Sequence, residues 1–168
     1  MTSLYGWVRR NRIAAATAAF VGYSAVMLRL DGRMRAAGGP GIVAFELAGT
    51  AAKAEDIMGR WGPTGLRAAR QSMWLDFGYM TSYGILLALL VDRRRRGRGH
   101  PQWLPALAAG AVAADAVEGV ALLRVLDRRE MAANARRAHV AASIKFALIA
   151  AALGYAVYPV RPSGRTGR

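Results

Sequence analysis

The sequence contains no cysteine and only two histidines. Without cysteine, neither a disulfide framework nor a thiolate metal site can form. The two histidines, His100 and His139, are too few for a histidine-based metal site unless carboxylates contribute ligands. Residue spacing also offers no phosphate-binding glycine-rich loop and no Ser/His/Asp arrangement. We therefore expect neither a metal ion nor a cofactor.

Acidic residues are scarce as well. Ten Asp and Glu stand against 24 Lys and Arg, which gives a formal net charge of +14. At the same time, 54% of the residues are hydrophobic and the mean hydropathy is +0.18. Soluble proteins rarely combine these properties, whereas membrane proteins do so with apolar spans that have basic ends. The arginines cluster at the ends of apolar segments rather than along one helix face, so we expect no nucleic-acid partner.

Four hydrophobic segments are long enough to cross a hydrocarbon core of about 30 Å as helices, at about 1.5 Å per residue. They are residues 13–30, 72–91, 103–126 and 139–158. The sequence therefore predicts an all-α fold, a bundle of four transmembrane helices over residues 13–158. A basic lead at 1–12 precedes this domain, and a basic tail at 159–168, which we expect to be disordered, follows it.

The long connection between the first two spans predicts a fifth helix, an amphipathic one over residues 42–58. Val43 and Leu47 belong to its apolar stripe, and Glu46 to its polar face. We expect this helix to lie on the membrane surface or to cap the bundle. The following Trp-Gly-Pro turn should end it. Pro63 suits the start of the next helix, because the missing N–H costs nothing there.

Polar side chains recur inside the apolar spans. Asp115 and Glu118 are three residues apart and share a face of the third span. A charge inside a membrane helix is expensive and needs a partner in the bundle interior. Tyrosines and an aspartate form a polar stripe on the second span, and a lysine interrupts the fourth. The candidate residues of this polar layer are Tyr23, Asp76, Tyr79, Tyr83, Asp115, Glu118 and Lys145.

The ionisable candidates are predicted to fall in one half of the bilayer, on the side of the connections 31–71 and 127–138. At about 1.5 Å per residue, Asp76 lies about 6 Å deep, Lys145 about 10 Å and Asp115 about 17 Å. One lysine among three carboxylates would leave a net negative charge unless a carboxyl group is protonated.

This polar layer is open to three interpretations. The first is a pocket, covered by the connection 31–71, that binds or moves a small polar or amphiphilic, lipid-like ligand. The second is a structural or assembly subunit whose ionic layer only fixes helix packing. Interhelical hydrogen bonds in membranes stabilise helix packing by only about 0.6 kcal/mol each on average, which is little compared with the cost of placing charged groups there. The third is a membrane enzyme with a carboxylate/lysine acid–base cluster, suited to proton transfer or isomerisation.

The densest basic cluster lies between the second and third spans and sets the predicted topology. Its members are Arg93, Arg94, Arg95, Arg96 and Arg98. Basic loops stay in the cytoplasm, so an even number of spans places both termini there too. The same arginines should attract anionic lipid.

The lipid bilayer is the first expected partner of the chain. A second is a partner membrane helix or a second copy of the chain, because Ala106, Gly110 and Ala114 recur every four residues and leave room for close helix contact. Trp61 and Trp103 are expected in the interfacial belt of aromatic residues.

Several short motifs form a recognisable pattern: a Trp-Gly turn at Trp61, Leu75-Asp76 before a Tyr-containing helix, Ala-Asp-x-x-Glu-Gly over 114–119 with Leu-Leu shortly after, and Lys145-Phe146. This pattern resembles a group of small, uncharacterised four-helix membrane proteins of bacteria. It covers roughly residues 44–150. The resemblance implies a four-helix fold with a polar layer, and we expect a multi-pass protein of the bacterial cytoplasmic membrane. It implies no reaction.

Overall fold

The computed structural model describes residues 11–158, and this part of the chain is helical, without strands. The five helices are α1 (Arg12–Ala36), α2 (Ile42–Glu46), α3 (Ala51–Arg96), α4 (Ala106–Leu126) and α5 (Met131–Val157). The predictions made for residues 1–10 of the basic lead and for the tail 159–168 fall outside the described residues.

Four of the helices, α1, α3, α4 and α5, are long and apolar enough to cross a membrane. Large apolar side chains point away from the bundle, among them Val120, Ile144 and Val157. An apolar exterior of this kind suits hydrocarbon better than water. The prediction of an all-α bundle with four membrane-spanning helices is confirmed.

The first connection differs from the prediction of one helix over 42–58. Helix α2 ends at Glu46, and α3 begins only at Ala51. Between them, Gly49 adopts a φ of 71°, a conformation that breaks a helix and that glycine adopts without steric cost. Thr50 then caps α3, because its side chain accepts a hydrogen bond from the backbone N–H of Lys53 at 3.3 Å. Two helices at an angle therefore replace the predicted one.

The buried face of α2 is also different from the predicted one. Phe45 and Glu46 are buried, whereas Val43 and Leu47 are exposed. The break at Gly49 separates α2 from α3, so the continuous apolar stripe expected over both segments does not exist. What looked like the polar face of a surface helix points into the bundle at Glu46.

Helix α3 is kinked at Gly62, where φ is 54° and ψ is −169°, and Pro63 begins the segment that crosses the membrane. The predicted role of Pro63 is confirmed. Trp61, expected in the interfacial belt, is instead only 1% exposed. Gly39 and Gly65 leave the space for it, since a Cβ on either residue would collide with Trp61.

Helix α5 begins at Met131, eight residues before the predicted span at 139. Only residues 127–130 connect it to α4, with Arg128 and Glu130 at positive φ. The prediction placed residues 131–138 in the connection. Arginines in this segment can, however, point outward from a helix, as the exposed Arg136 and Arg137 do. Helices α4 and α5 therefore form a tight hairpin.

The packing order leaves one side of the bundle open. Helix α1 packs along α3, α4 packs along α5, and α3 contacts both members of this hairpin. Within residues 11–158, α1 and α5 form no extended interface with each other. Gly110 on α4 faces α5 and lies against Leu148, so the small residue serves packing inside the chain. A partner helix at this face stays a prediction.

Candidate functional site

Lys145 is the centre of the buried ionic cluster. It lies on α5 between Ile144 and Phe146, and it is 6% exposed. Its Nζ lies 2.8 Å from Glu118 Oε2, 3.0 Å from Asp115 Oδ1 and 3.4 Å from Glu46 Oε2. A buried ammonium needs such partners, because desolvation of an isolated charge costs several kcal/mol. Three helices therefore meet at this one side chain.

Asp115 and Glu118 reach the lysine from the same face of α4, as their spacing predicts. Both are almost fully buried. Asp115 uses its other oxygen, Oδ2, to accept a hydrogen bond from the hydroxyl of Tyr83 at 2.7 Å. Glu118 Oε2 contacts Lys145 at ion-pair distance but without the angle of a hydrogen bond. The result is a chain of polar groups from α3 through α4 to α5.

Glu46 is the member of the cluster that the sequence interpretation missed. It was placed on the polar face of a surface helix, whereas the structure buries it beside Lys145. The sequence does hold a signal, because Glu46 is the one polar residue in the apolar run at 42–48. The same reasoning that singled out Asp115 would have selected it.

A cavity of about 640 Å³ opens beside the cluster, between α1, α2, α3 and α5. Its polar lining includes Glu46, Asp76, Asp115 and Lys145, together with Ser24, Asp31 and Arg35 from α1. Most of the rest of its wall is apolar. These apolar residues are Met27, Leu28, Ile42, Val43, Leu86, Leu87, Leu90, Ile149 and Leu153, together with aromatic rings.

The first connection forms the mouth of this cavity. Asp31 pairs with Arg35 at 2.6 Å and accepts a hydrogen bond from the backbone N–H of Ile42 at 2.7 Å. Trp61 donates a hydrogen bond to the carbonyl oxygen of Pro40 at 2.7 Å. These bonds hold the segment from α1 to α2 in place over the site.

Three aromatic rings line the cavity as a row. Phe20 and Tyr79 are stacked with their centroids 5.7 Å apart, and Tyr79 and Tyr83 meet edge to face at 5.7 Å. Asp76 lies one helical turn before Tyr79, so it borders the same wall. Asp76 is half-buried and has no ion-pair or hydrogen-bond partner among residues 11–158.

The predicted polar-layer residues are thus brought together to different degrees. Tyr83, Asp115, Glu118 and Lys145 are in direct contact, and Asp76 and Tyr79 line the adjoining cavity. Tyr23 lies elsewhere: it is exposed, and its hydroxyl lies against Gly78 on α3.

The arginine cluster lies at the opposite end of the bundle, about 20 Å along α5 from Lys145 at 1.5 Å per residue. Arg94 donates to the carbonyl oxygen of Tyr158 at 2.7 Å, and Arg98 donates to the same atom. These guanidinium groups bind the carbonyl oxygen of the residue that follows α5, where backbone carbonyls have no partner within the helix.

The remaining arginines of the cluster have different surroundings. Arg95 and Arg96 pair with Asp92 at 2.5 and 2.8 Å, and Arg93 is exposed. Much of the positive charge predicted to set topology therefore also has local structural partners.

Comparison with family models, with curated proteins and with solved structures finds no match to this chain. The resemblance to small four-helix bacterial membrane proteins therefore stays a prediction.

Proposed function

We propose that this membrane protein binds or moves a small polar or amphiphilic, lipid-like ligand in the cavity between α1, α3 and α5. The observation that carries the proposal is the cavity itself, which places an apolar wall directly beside a buried ionic cluster. Its volume of about 640 Å³ suits a ligand site, since such sites span about 300–1,000 Å³ and combine apolar walls with a few polar groups.

The gap between α1 and α5 supports a ligand that arrives from the membrane. Leu28 on α1 is 71% exposed and Leu153 on α5 is 45% exposed, although both line the cavity. Each therefore lies where the cavity opens to the side of the bundle. An acyl chain could pass this opening without leaving an apolar environment, while its headgroup moves toward the ionic cluster.

We propose that the protein lies in the cytoplasmic membrane of a bacterium, with both termini in the cytoplasm. The basic cluster between the second and third spans and the even number of spans support this orientation. In this orientation, α2 and the mouth of the cavity lie toward the outer face. Lipid of the outer leaflet would then be the nearest source of ligand.

One alternative is favoured by a specific observation. Lys145 contacts carboxylates from both α2 and α4, so the cluster also ties three helices together. A structural or assembly subunit would need this network and no cavity. A binding measurement distinguishes the two interpretations, because only a ligand-binding protein requires the space beside the cluster.

The test is to close the lateral opening and measure binding. We would replace Leu28 and Leu153 together by tryptophan, and measure uptake of a radiolabelled single-chain amphiphile by protein in neutral maltoside micelles. The matched control places tryptophan at Val21 and Val120, which are exposed on α1 and α4 but do not line the cavity. We expect saturable binding to fall at least about tenfold only in the first variant. Equal binding by both variants would refute the proposal.

A further inference from the structure

We infer that the ligand headgroup is a cation, an alkylammonium or quaternary ammonium group, which binds between Asp76 and the aromatic row of Phe20, Tyr79 and Tyr83. This inference rests on the proposed function and adds the chemical class of the ligand.

The charges of the cavity do not balance within the described chain. Lys145 is shared by Glu46, Asp115 and Glu118, so its one positive charge already faces three carboxylates. At the mouth, the guanidinium of Arg35 is paired with Asp31. Neither cation contacts Asp76. A carboxyl group inside a membrane bundle is stabilised by a proton or by a counter-charge, and a ligand cation would supply the counter-charge.

The aromatic row provides the second half of a cation site. The π face of an aromatic ring attracts ammonium groups within about 6 Å of the centroid, and rings that surround a quaternary ammonium are a common recognition mode. Phe20, Tyr79 and Tyr83 border the cavity on the side of Asp76. Tyr83 is fixed by its hydrogen bond to Asp115, and Tyr79 is held between the other two rings.

The same surroundings disfavour an anionic headgroup. A phosphate or sulfate in the cavity would approach Glu46, Asp76 and Asp115, while the ammonium of Lys145 is shared by carboxylates and the guanidinium of Arg35 is paired with Asp31. Like charges in a medium of low dielectric constant repel strongly. A neutral headgroup would avoid this repulsion but would leave Asp76 without a counter-charge. The site therefore discriminates by charge, with the apolar wall common to all amphiphiles.

The experiment compares three amphiphiles that share a twelve-carbon chain. Purified protein in neutral maltoside micelles is equilibrated with radiolabelled dodecyltrimethylammonium, and unlabelled dodecyltrimethylammonium, dodecyl sulfate and a dodecyl glycoside compete for binding. We expect the cation to compete at least about tenfold better than the neutral glycoside, and the sulfate to compete worst.

Two pairs of variants assign the preference to the site. Asp76→Asn should abolish the preference for the cation, whereas Asp56→Asn, at an exposed carboxylate on the same helix, should retain it. Tyr79→Leu should weaken cation binding, and Tyr79→Phe should restore it. If Asp76→Asn does not fold, the tyrosine pair still decides, because a merely structural role of Tyr79 would affect all three amphiphiles equally.

The outcomes separate this inference from the proposed function. Equal competition by the three amphiphiles, blocked by tryptophan at Leu28 and Leu153, overturns the cation inference and leaves the ligand cavity in place. Stronger competition by the sulfate also overturns the inference. Binding that the tryptophan pair does not affect refutes the proposed function itself, whichever headgroup is preferred.

Discussion

Lys145→Met should be the most damaging single change in the ionic cluster. Methionine approximates the apolar stem of lysine but removes the ammonium group. Three carboxylate oxygens, which lie 2.8, 3.0 and 3.4 Å from Nζ, then lose the positive charge that they share. All three belong to buried residues, so water cannot replace the lysine without opening the bundle.

The expected loss of stability follows from the burial of the partners. Removal of one member of a buried ion pair costs about 3–5 kcal/mol, because the other member is left as an uncompensated charge. Glu118→Gln should cost less, about 1–3 kcal/mol, since Lys145 keeps Asp115 and Glu46 as partners. In the double variant, the neutral glutamine no longer needs the ammonium group. The double variant should therefore lose less stability than the sum of the losses of the two single variants.

Reversible unfolding in mixed micelles of maltoside and dodecyl sulfate, followed by far-UV circular dichroism, measures these free energies. The control is Lys53→Met, because Lys53 is exposed on α3 and its side chain takes no part in the cluster. We expect the control to stay within about 0.5 kcal/mol of the wild type. A Lys145→Met variant as stable as the wild type would show that the carboxyl groups do not depend on the ammonium, and the electrostatic reasoning would then be wrong.

Three further predictions concern the frame around the site. Trp61→Phe should lose about 1 kcal/mol of stability, because the carbonyl of Pro40 loses its buried donor; thermal unfolding measures it. Gly49→Ala should cost about 1–2 kcal/mol at its φ of 71°, whereas Gly59→Ala, inside a helix with free space around it, should be neutral or stabilising. Replacing Arg94 and Arg98 together by glutamine should speed amide hydrogen exchange in the last turn of α5 and leave α4 unchanged. An unchanged exchange rate would show that the arginines do not cap α5.

The cluster has one feature that local sequence patterns reveal and one that they do not. The three-residue spacing of Asp115 and Glu118 sets their shared helix face, and the structure places both on Lys145. Glu46 joins them from the first connection, where α2 ends at Glu46 and a break at Gly49 separates it from α3. Helical periodicity across residues 42–58 does not reveal that break.

The sequence alone determined the four membrane-spanning helices and the start at Pro63 of the helix segment that carries the second span. These features depend on local hydropathy, on proline geometry and on the rise of a helix, all of which a few neighbouring residues set. Only the tertiary structure decided that Trp61 is buried, that Glu46 contacts Lys145 and that α1 stands apart from α5 to leave a cavity. Each of these depends on how helices rotate and pack against partners distant in the sequence, and that choice depends on the fit of whole surfaces.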